Sequence, residues 1–225
     1  MRRVLVLRPE PGATATLRRA RERGLEAEAV PLFEVEPVEW AVPDPSDFDA
    51  LLLTSGNAVR HGGPGLQALR ELPVHAVGEA TARAAREAGF AVATIGDWDV
   101  NRLLGSIDAN VSLLHLCGEH RTVPDEARQP ITAVRVYRAQ AREGVDIGAA
   151  AGSLALIHSS RAGSRFAELV DAQAIERGSI IIAAISQAAA EAAGSGWGAI
   201  ETVASPTDDA LLALAERLCN KSPGG

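Results

Sequence analysis

The 225-residue sequence predicts an α/β fold of two doubly wound parallel-sheet domains. Three observations predict it. Short β-rich apolar runs alternate with helical segments along the whole chain, the order that builds parallel sheets with helices on their faces. Helical stretches stop at glycines, which accept the left-handed backbone of a helix end. The chain also resembles itself: Leu51-Leu52-Leu53-Thr54-Ser55-Gly56-Asn57 returns as Leu154-Ala155-Leu156-Ile157-His158-Ser159-Ser160. Ala76-Val77-Gly78-Glu79-Ala80-Thr81-Ala82 returns 108 positions later as Ala184-Ile185-Ser186-Gln187-Ala188-Ala189-Ala190. Two copies of one unit are too few for a solenoid and enough for two domains.

The elements follow in order. Val4 to Leu7 is the first strand, and a helix over Ala13 to Arg23 closes at Gly24. Ala27 to Leu32 is a second strand. Phe33-Glu34-Val35-Glu36-Pro37 alternates apolar and acidic residues, whereas Val134-Arg135-Val136-Tyr137-Arg138 alternates apolar and basic ones. Opposite charges across paired strands stabilise by about 0.2–1 kcal/mol each, so these segments are expected to pair as two crossings between domains; the alternative is two unrelated edge strands. Ala50 to Leu53 and Val74 to Val77 are strands, the latter feeding a helix over Glu79 to Ala88 that closes at Gly89. Further strands are expected at Ala91 to Ile95, Ser112 to Leu116, Ala133 to Val136, Leu154 to Ile157, Ile180 to Ile185 and Ile200 to Val203.

Composition narrows the function. With 47% apolar and 23% charged residues the chain is globular rather than disordered. A net charge of −7 argues against a protein that coats nucleic acid by broad phosphate neutralisation. Lys221 is the single lysine, which removes an internal Schiff-base lysine and a phosphate loop of the Walker type. Cys117 and Cys219 form no C-x-x-C pair and no disulfide framework, so a reducing, cytoplasmic compartment is expected. No run approaches the ~20 apolar residues of a membrane span, and the apolar start is too short for a secretory leader.

Three strand-to-helix turns end in small polar residues: Thr54-Ser55-Gly56-Asn57, Gly78-Glu79-Ala80-Thr81 and His158-Ser159-Ser160-Arg161. In an open parallel sheet such turns lie at the carboxyl ends of the strands, where ligands of doubly wound folds bind. Backbone N–H groups at the helix starts suit carboxylate or phosphate. The alternative is that these side chains only cap helices.

These residues are familiar as a set. The runs Leu51 to Val59, Val74 to Phe90, Val134 to Ala139 and Ser205-Pro206-Thr207 resemble the uroporphyrinogen-III synthase family, as do Leu7-Arg8-Pro9-Glu10 and Val30-Pro31-Leu32. The resemblance covers residues 1 to 219. It implies two α/β domains joined by a two-stranded linker with the second inserted into the first: residues 1–35 plus 140–219, residues 36–139, and a tail at 220–225. It also implies a cofactor-free, metal-free and monomeric lyase of tetrapyrrole (haem) biosynthesis. Its substrate is hydroxymethylbilane, a linear, carboxylate-rich tetrapyrrole, which closes with loss of water and inversion of the last pyrrole ring. Tyr137, the single tyrosine, matches the family's linker tyrosine; its hydroxyl stays protonated at neutral pH and can hydrogen-bond the departing oxygen. The alternative for Tyr137 is a packed aromatic with a wet hydroxyl. By the same match Ser55, Gly56, Asn57, Gly78, Ala80, Thr81, Ser159, Ser160 and Thr207 bind substrate, and Arg8 and Arg161 pair its carboxylates or stand as exposed arginines.

The sequence departs from the family pattern in three places. Ser186 and Ala189 replace the usual glycine and threonine, Gly118 to Pro130 is short for a strand-helix-strand, and His158 stands where threonine is common. His115, Cys117 and His120 lack a fourth ligand for zinc. Gly62-Gly63-Pro64-Gly65 reads as a mobile turn rather than a dinucleotide loop. No G-x-S-x-G elbow supports a hydrolase. The rival from another class is a non-catalytic two-domain module that binds or senses a small anion.

Overall fold

A computed structural model of the chain describes residues 2–97, 100–120 and 127–220. The chain divides into two compact units, Met1–Glu34 with Ala141–Gly225, and Val35–Gln140. Each is an α/β unit around its own sheet.

In the first unit β1 (Val4–Val6), β2 (Ala27–Ala29), β9 (Leu154–Ile157), β10 (Ile181–Ala184) and β11 (Ala199–Thr202) form a five-stranded sheet in the order β11-β10-β9-β1-β2. Its pairs are all parallel. The strands are apolar on both sides, as burial on two faces requires. Leu5, Ala155, Ile157 and Ile182 point to α5 (Ser160–Ala172) and α6 (Gln187–Ala193). Val4, Val6, Leu154 and Leu156 point to α1 (Gly12–Glu22) and α7 (Asp208–Asn220). Strand β2 is shorter than the apolar run Ala27 to Leu32. Val30 and Leu32 still donate to the carbonyls of Val6 and Leu7, but Pro31 between them has no N–H to continue a ladder.

In the second unit β3 (Phe33–Pro37), β4 (Ala50–Leu53), β5 (Val74–Val77), β6 (Val92–Gly96), β7 (Leu113–Gly118) and β8 (Ile131–Ala141) run in the order β3-β8-β7-β4-β5-β6. Leu51, Leu53, Val74, Ala76, Leu114 and Leu116 pack under α2 (Asn57–His61) and α3 (Glu79–Glu87). Ala50, Leu52 and Leu113 pack under α4 (Val100–Gly105).

The two alternating-charge segments do pair. Val38 donates to Val136, Arg142 donates to Leu32, and the Arg138 guanidinium meets Glu36 at 3.1 Å, so the β3–β8 ribbon is antiparallel. The Glu36–Arg138 pair is about 40% exposed, so it adds little stability. The ribbon extends β8 well beyond the Ala133 to Val136 run, because β8 has a partner on each side.

Gly62-Gly63-Pro64-Gly65 is not the mobile turn that its composition suggests. Residues Gly63–Leu69 wind into a 3-10 helix that Pro64 initiates, and the Trp40 indole donates to the Gly62 carbonyl at 2.9 Å. The question of a helix between Gly118 and Pro130 falls mostly on residues 121–126, outside the described residues, as do 221–225 of the tail.

Candidate active site

Parallel pairing decides which turns share an edge. Strands β8, β7, β4 and β5 are neighbours running the same way, so Tyr137, Gly118, the Ser55-Gly56-Asn57 turn and the Gly78 turn line up along the carboxyl edge of the second unit's sheet.

Tyr137 owes its position to an irregularity. From Leu113↔Ile131 to Cys117↔Arg135 the β7–β8 register is regular; then it slips by one, and Gly118 faces Tyr137 rather than Val136. A bulge of this kind re-aims a side chain at a sheet end. Val136 goes fully into the core and Tyr137 is left half-buried above Gly118. Gly118 is required there by space, since a Cβ on it would lie 2.7 Å from Cε2, 2.8 Å from Cζ and 3.0 Å from the hydroxyl oxygen of Tyr137. Burial pushes the Tyr137 hydroxyl's pKa up, against hydrogen bonding with Ser55 and the Gly118 backbone, and the net direction is up. Tyr137 therefore keeps its proton at neutral pH.

After β4, the Ser55 hydroxyl accepts from the Asn57 N–H at 3.2 Å, and Gly56 opens α2, where a Cβ would lie 2.8 Å from the Arg60 guanidinium and 3.0 Å from the Ala84 methyl. Arg60 donates to the Asn57 amide oxygen at 3.4 Å. Gly78 has φ +81 and ψ 150, a conformation open only to glycine, and its carbonyl accepts from Thr81 and Ala82 to start α3. Ala80 is exposed, while Thr81 is 6% exposed and lies mostly under the first turn of that helix.

At the carboxyl edge of the first unit's sheet the turns after β1, β9, β10 and β11 come together. Ser159 and Ser160 are exposed at the start of α5, where the Ser159 hydroxyl accepts from the Ala162 N–H at 3.2 Å. The Thr207 hydroxyl accepts from Ala210 in the same way, and Ser186 from Ala189. Arg161 is exposed, its guanidinium 4.7 Å above the Phe33 ring. Ala189, by contrast, is fully buried in the core on α6.

Arg8 is not held ready for a ligand alone. It reaches Thr16 at 3.3 Å and Asp208 at 3.5 Å, and Asp208 gathers Arg19, both Thr16 contacts at 3.0 Å and His158 Nε2 at 2.7 Å. Burial lowers the His158 pKa, so the imidazole is neutral and donates its Nε2–H to the carboxylate. For Asp208 burial pulls upward, but the hydrogen bond from His158 and the charges of Arg19 and Arg8 outweigh it and the pKa is lowered. Thr16, Arg19, Asp208, Gly118 and His61 were all missed by sequence reasoning. A carboxylate in the first turn after Ser205-Pro206-Thr207 and a glycine ending a strand are the signals by which two of them could have been found.

His61 closes α2. Its ring centroid is 6.4 Å from that of Tyr137, at 39° between planes, and it lines a groove of about 730 Å³ with Val38, Glu39, Trp40, Val42 and Pro64.

Comparison with known proteins shows the family of the chain. Residues 14–213 match the family model described as uroporphyrinogen-III synthase HemD. A search of curated proteins found no significant match. Among solved structures, uroporphyrinogen-III synthetase from Helicobacter pylori superposes with a TM-score of 0.65 at 19% identity, over 97% of this chain and all of that one. A mutant uroporphyrinogen III synthase from Thermus thermophilus gives 0.55 at 18% identity, over 98% of this chain and all of that one. At these identities the structural likeness shows the shared fold.

Proposed function

The chain belongs to the uroporphyrinogen-III synthase family, and from that premise we propose how its own residues perform the family's cyclisation. It is a cyclising lyase of tetrapyrrole and haem biosynthesis. Its substrate is hydroxymethylbilane, and the reaction removes the terminal hydroxyl as water while the last pyrrole ring is inverted and the macrocycle closes.

Two tasks fall to the protein. The hydroxyl leaves only if its oxygen is protonated or strongly hydrogen-bonded, and the flexible chain must be held so that the right carbon is attacked. Tyr137 is the proton donor. The observation that carries this assignment is its seat at the β7–β8 bulge, with the phenol kept protonated by burial and held against Ser55 and Gly118. Substrate carboxylates bind at the turns. Ser159 and Thr207 already accept a backbone N–H, so each hydroxyl keeps its own proton to donate outward, while the Ser55 hydroxyl is shared between the Asn57 N–H and Tyr137 beside the bound carboxylate. Gly56, Asn57, Gly78, Ala80, Thr81 and Ser160 supply close backbone approach and further donors. Arg161 adds charge, and Arg8 contributes what Asp208 leaves uncompensated. The reading also takes residues 1–35 with 140–219 and 36–139 as the two domains, a monomer in solution, and a reducing cytoplasmic setting that suits free Cys117 and Cys219. No helix of the described residues is long and apolar enough to cross a membrane.

The test supplies fresh hydroxymethylbilane and separates the oxidised porphyrins by isomer. Unaided closure is expected to give isomer I, so the quantity to read is isomer III above a protein-free control. Tyr137→Phe, with melting behaviour unchanged, is expected to lower kcat by about 10²-fold. Isomer I at the control rate with the wild-type protein would favour a binding module instead, and an undiminished kcat in Tyr137→Phe removes Tyr137 from the chemistry.

A further inference from the structure

We infer that His61 is the base that completes the proton cycle begun by Tyr137, taking a proton from the substrate's terminal pyrrole carbon and returning it to the tyrosine. The inference rests on Tyr137 as proton donor in the reaction proposed above.

Proton balance creates the need. Overall, a carbon–oxygen bond breaks at the hydroxymethyl group and the oxygen leaves as water with a proton from Tyr137. Closure with inversion breaks the bond between the last pyrrole ring and its neighbouring methylene carbon and forms two, the former hydroxymethyl carbon joining the ring carbon so released and that methylene joining the ring's hydrogen-bearing carbon, whose hydrogen must leave as a proton. Nothing is oxidised or reduced. Tyr137 is left as a phenolate in a half-buried site, and each turnover releases one proton from carbon. A neutral base next to the phenol joins the two events.

His61 is placed for this by the fold. Helix α2 starts at the Ser55 turn and ends at His61, and Tyr137 hydrogen-bonds with Ser55 while its ring centroid lies 6.4 Å from that of His61. The rings are tilted by 39° rather than stacked, a separation that one bridging water or ligand group spans. The imidazole has no hydrogen-bond partner among the described residues, and it forms part of a largely apolar groove whose Trp40 and Val38 suit a pyrrole ring. The charged and titratable groups around it are Arg60 on its own helix, Glu39 across the groove, Tyr137 on β8 and, behind Tyr137, the buried Cys117 thiol. The 3-10 helix that follows, Gly63–Leu69, brings no charge. Burial and then Arg60 lower the imidazole's pKa below that of a free one, so His61 is an unprotonated acceptor at neutral pH.

Rates of isomer III formation are measured from acid to mildly alkaline pH for the wild type, His61→Gln, His61→Ala and Tyr137→Phe. In the wild type, kcat is expected to fall on acidification as His61 protonates. His61→Gln is expected to lose that acid limb, with kcat at neutral pH down about 10²-fold and KM little changed, and added imidazole is expected to restore part of the His61→Ala rate. An intact acid limb in His61→Gln overturns the inference, whether the rate is unchanged or merely reduced, because a structural role leaves the pH profile in place. Failure of this inference alone shows as an impaired Tyr137→Phe beside a wild-type-like His61→Gln. A wild type without excess isomer III, or an unimpaired Tyr137→Phe, overturns the underlying reading together with it.

Discussion

Gly118→Ala adds one methyl group where the structure leaves no room for it. A Cβ there sits 2.7 Å from Cε2 and 2.8 Å from Cζ of Tyr137, against ordinary contacts of 3.4–4 Å, so the ring must yield by at least 0.7 Å. The backbone of β7 is held by β4 on one side and β8 on the other, which leaves the phenol as the part that moves. Displacing a reacting group by about 1 Å costs about 10²-fold in rate, or about 2.7 kcal/mol of barrier. Overpacking itself costs about 1–3 kcal/mol of stability, so the protein should remain folded with a lowered urea midpoint. The assay is kcat for isomer III formation in wild type, Gly118→Ala, Tyr137→Phe and the double variant. Because both changes act through one hydroxyl, the double variant is expected to be no slower than Tyr137→Phe. The reasoning is refuted if Gly118→Ala keeps kcat within about twofold, or if it slows the Tyr137→Phe background as much as it slows the wild type.

Three further outcomes follow from the packing and charge of the first unit. Asp208→Asn leaves Arg8 and Arg19 without their carboxylate; with Asp208 10% exposed and the arginines about one third exposed, the expected loss is about 2–3 kcal/mol, read from urea unfolding. An unchanged midpoint would show that the cluster adds nothing to stability. Acidification should destabilise the wild type in two stages. The lowered His158 pKa means that the unfolded chain takes up protons first, so stability falls as the pH drops below about 6.5 and levels off below the folded value. Asp208, also lowered, contributes fully above the ordinary carboxylate pKa of 3.8 and loses its contribution as the pH falls through its folded value. His158→Asn should shrink the first stage, to which the lowered His61 and His75 also contribute, and a profile identical to wild type would sink this account. Gly163→Ala drives a Cβ to 2.7 Å from the Ala189 carbonyl oxygen and 3.0 Å from the Ala193 nitrogen, both backbone atoms of α6. Parting α5 from α6 should cost about 1–3 kcal/mol, and a wild-type unfolding midpoint would contradict it.

Local pattern determined much of this protein. The strands Ala50–Leu53, Val74–Val77 and Leu154–Ile157 have the bounds that their sequence runs indicate; Ala50–Leu53 and Leu154–Ile157 are buried on both faces and written as unbroken apolar segments, and Val74–Val77 is interrupted only by His75. The helix ends at Gly24 and Gly89 were equally legible, since their φ values of +77 and +87 call for residues without a Cβ. The polar turns were visible because each follows such a strand directly, and Tyr137 stood out as the one tyrosine on an alternating-charge segment.

Tertiary structure decided what those residues meet. Positions 55, 61, 118 and 137 share an edge only because β4, β7 and β8 lie side by side in parallel, and a slip of one residue in the β7–β8 ladder turns Tyr137 rather than Val136 over Gly118. No local propensity encodes a register slip. Arg8 shows the same limit: by its sequence it is a free cation after a strand, yet folding brings it to Asp208, two hundred positions away, along with Thr16, Arg19 and His158. Charge pairing across such separations is a property of the sheet order, which a linear reading of composition and periodicity does not contain.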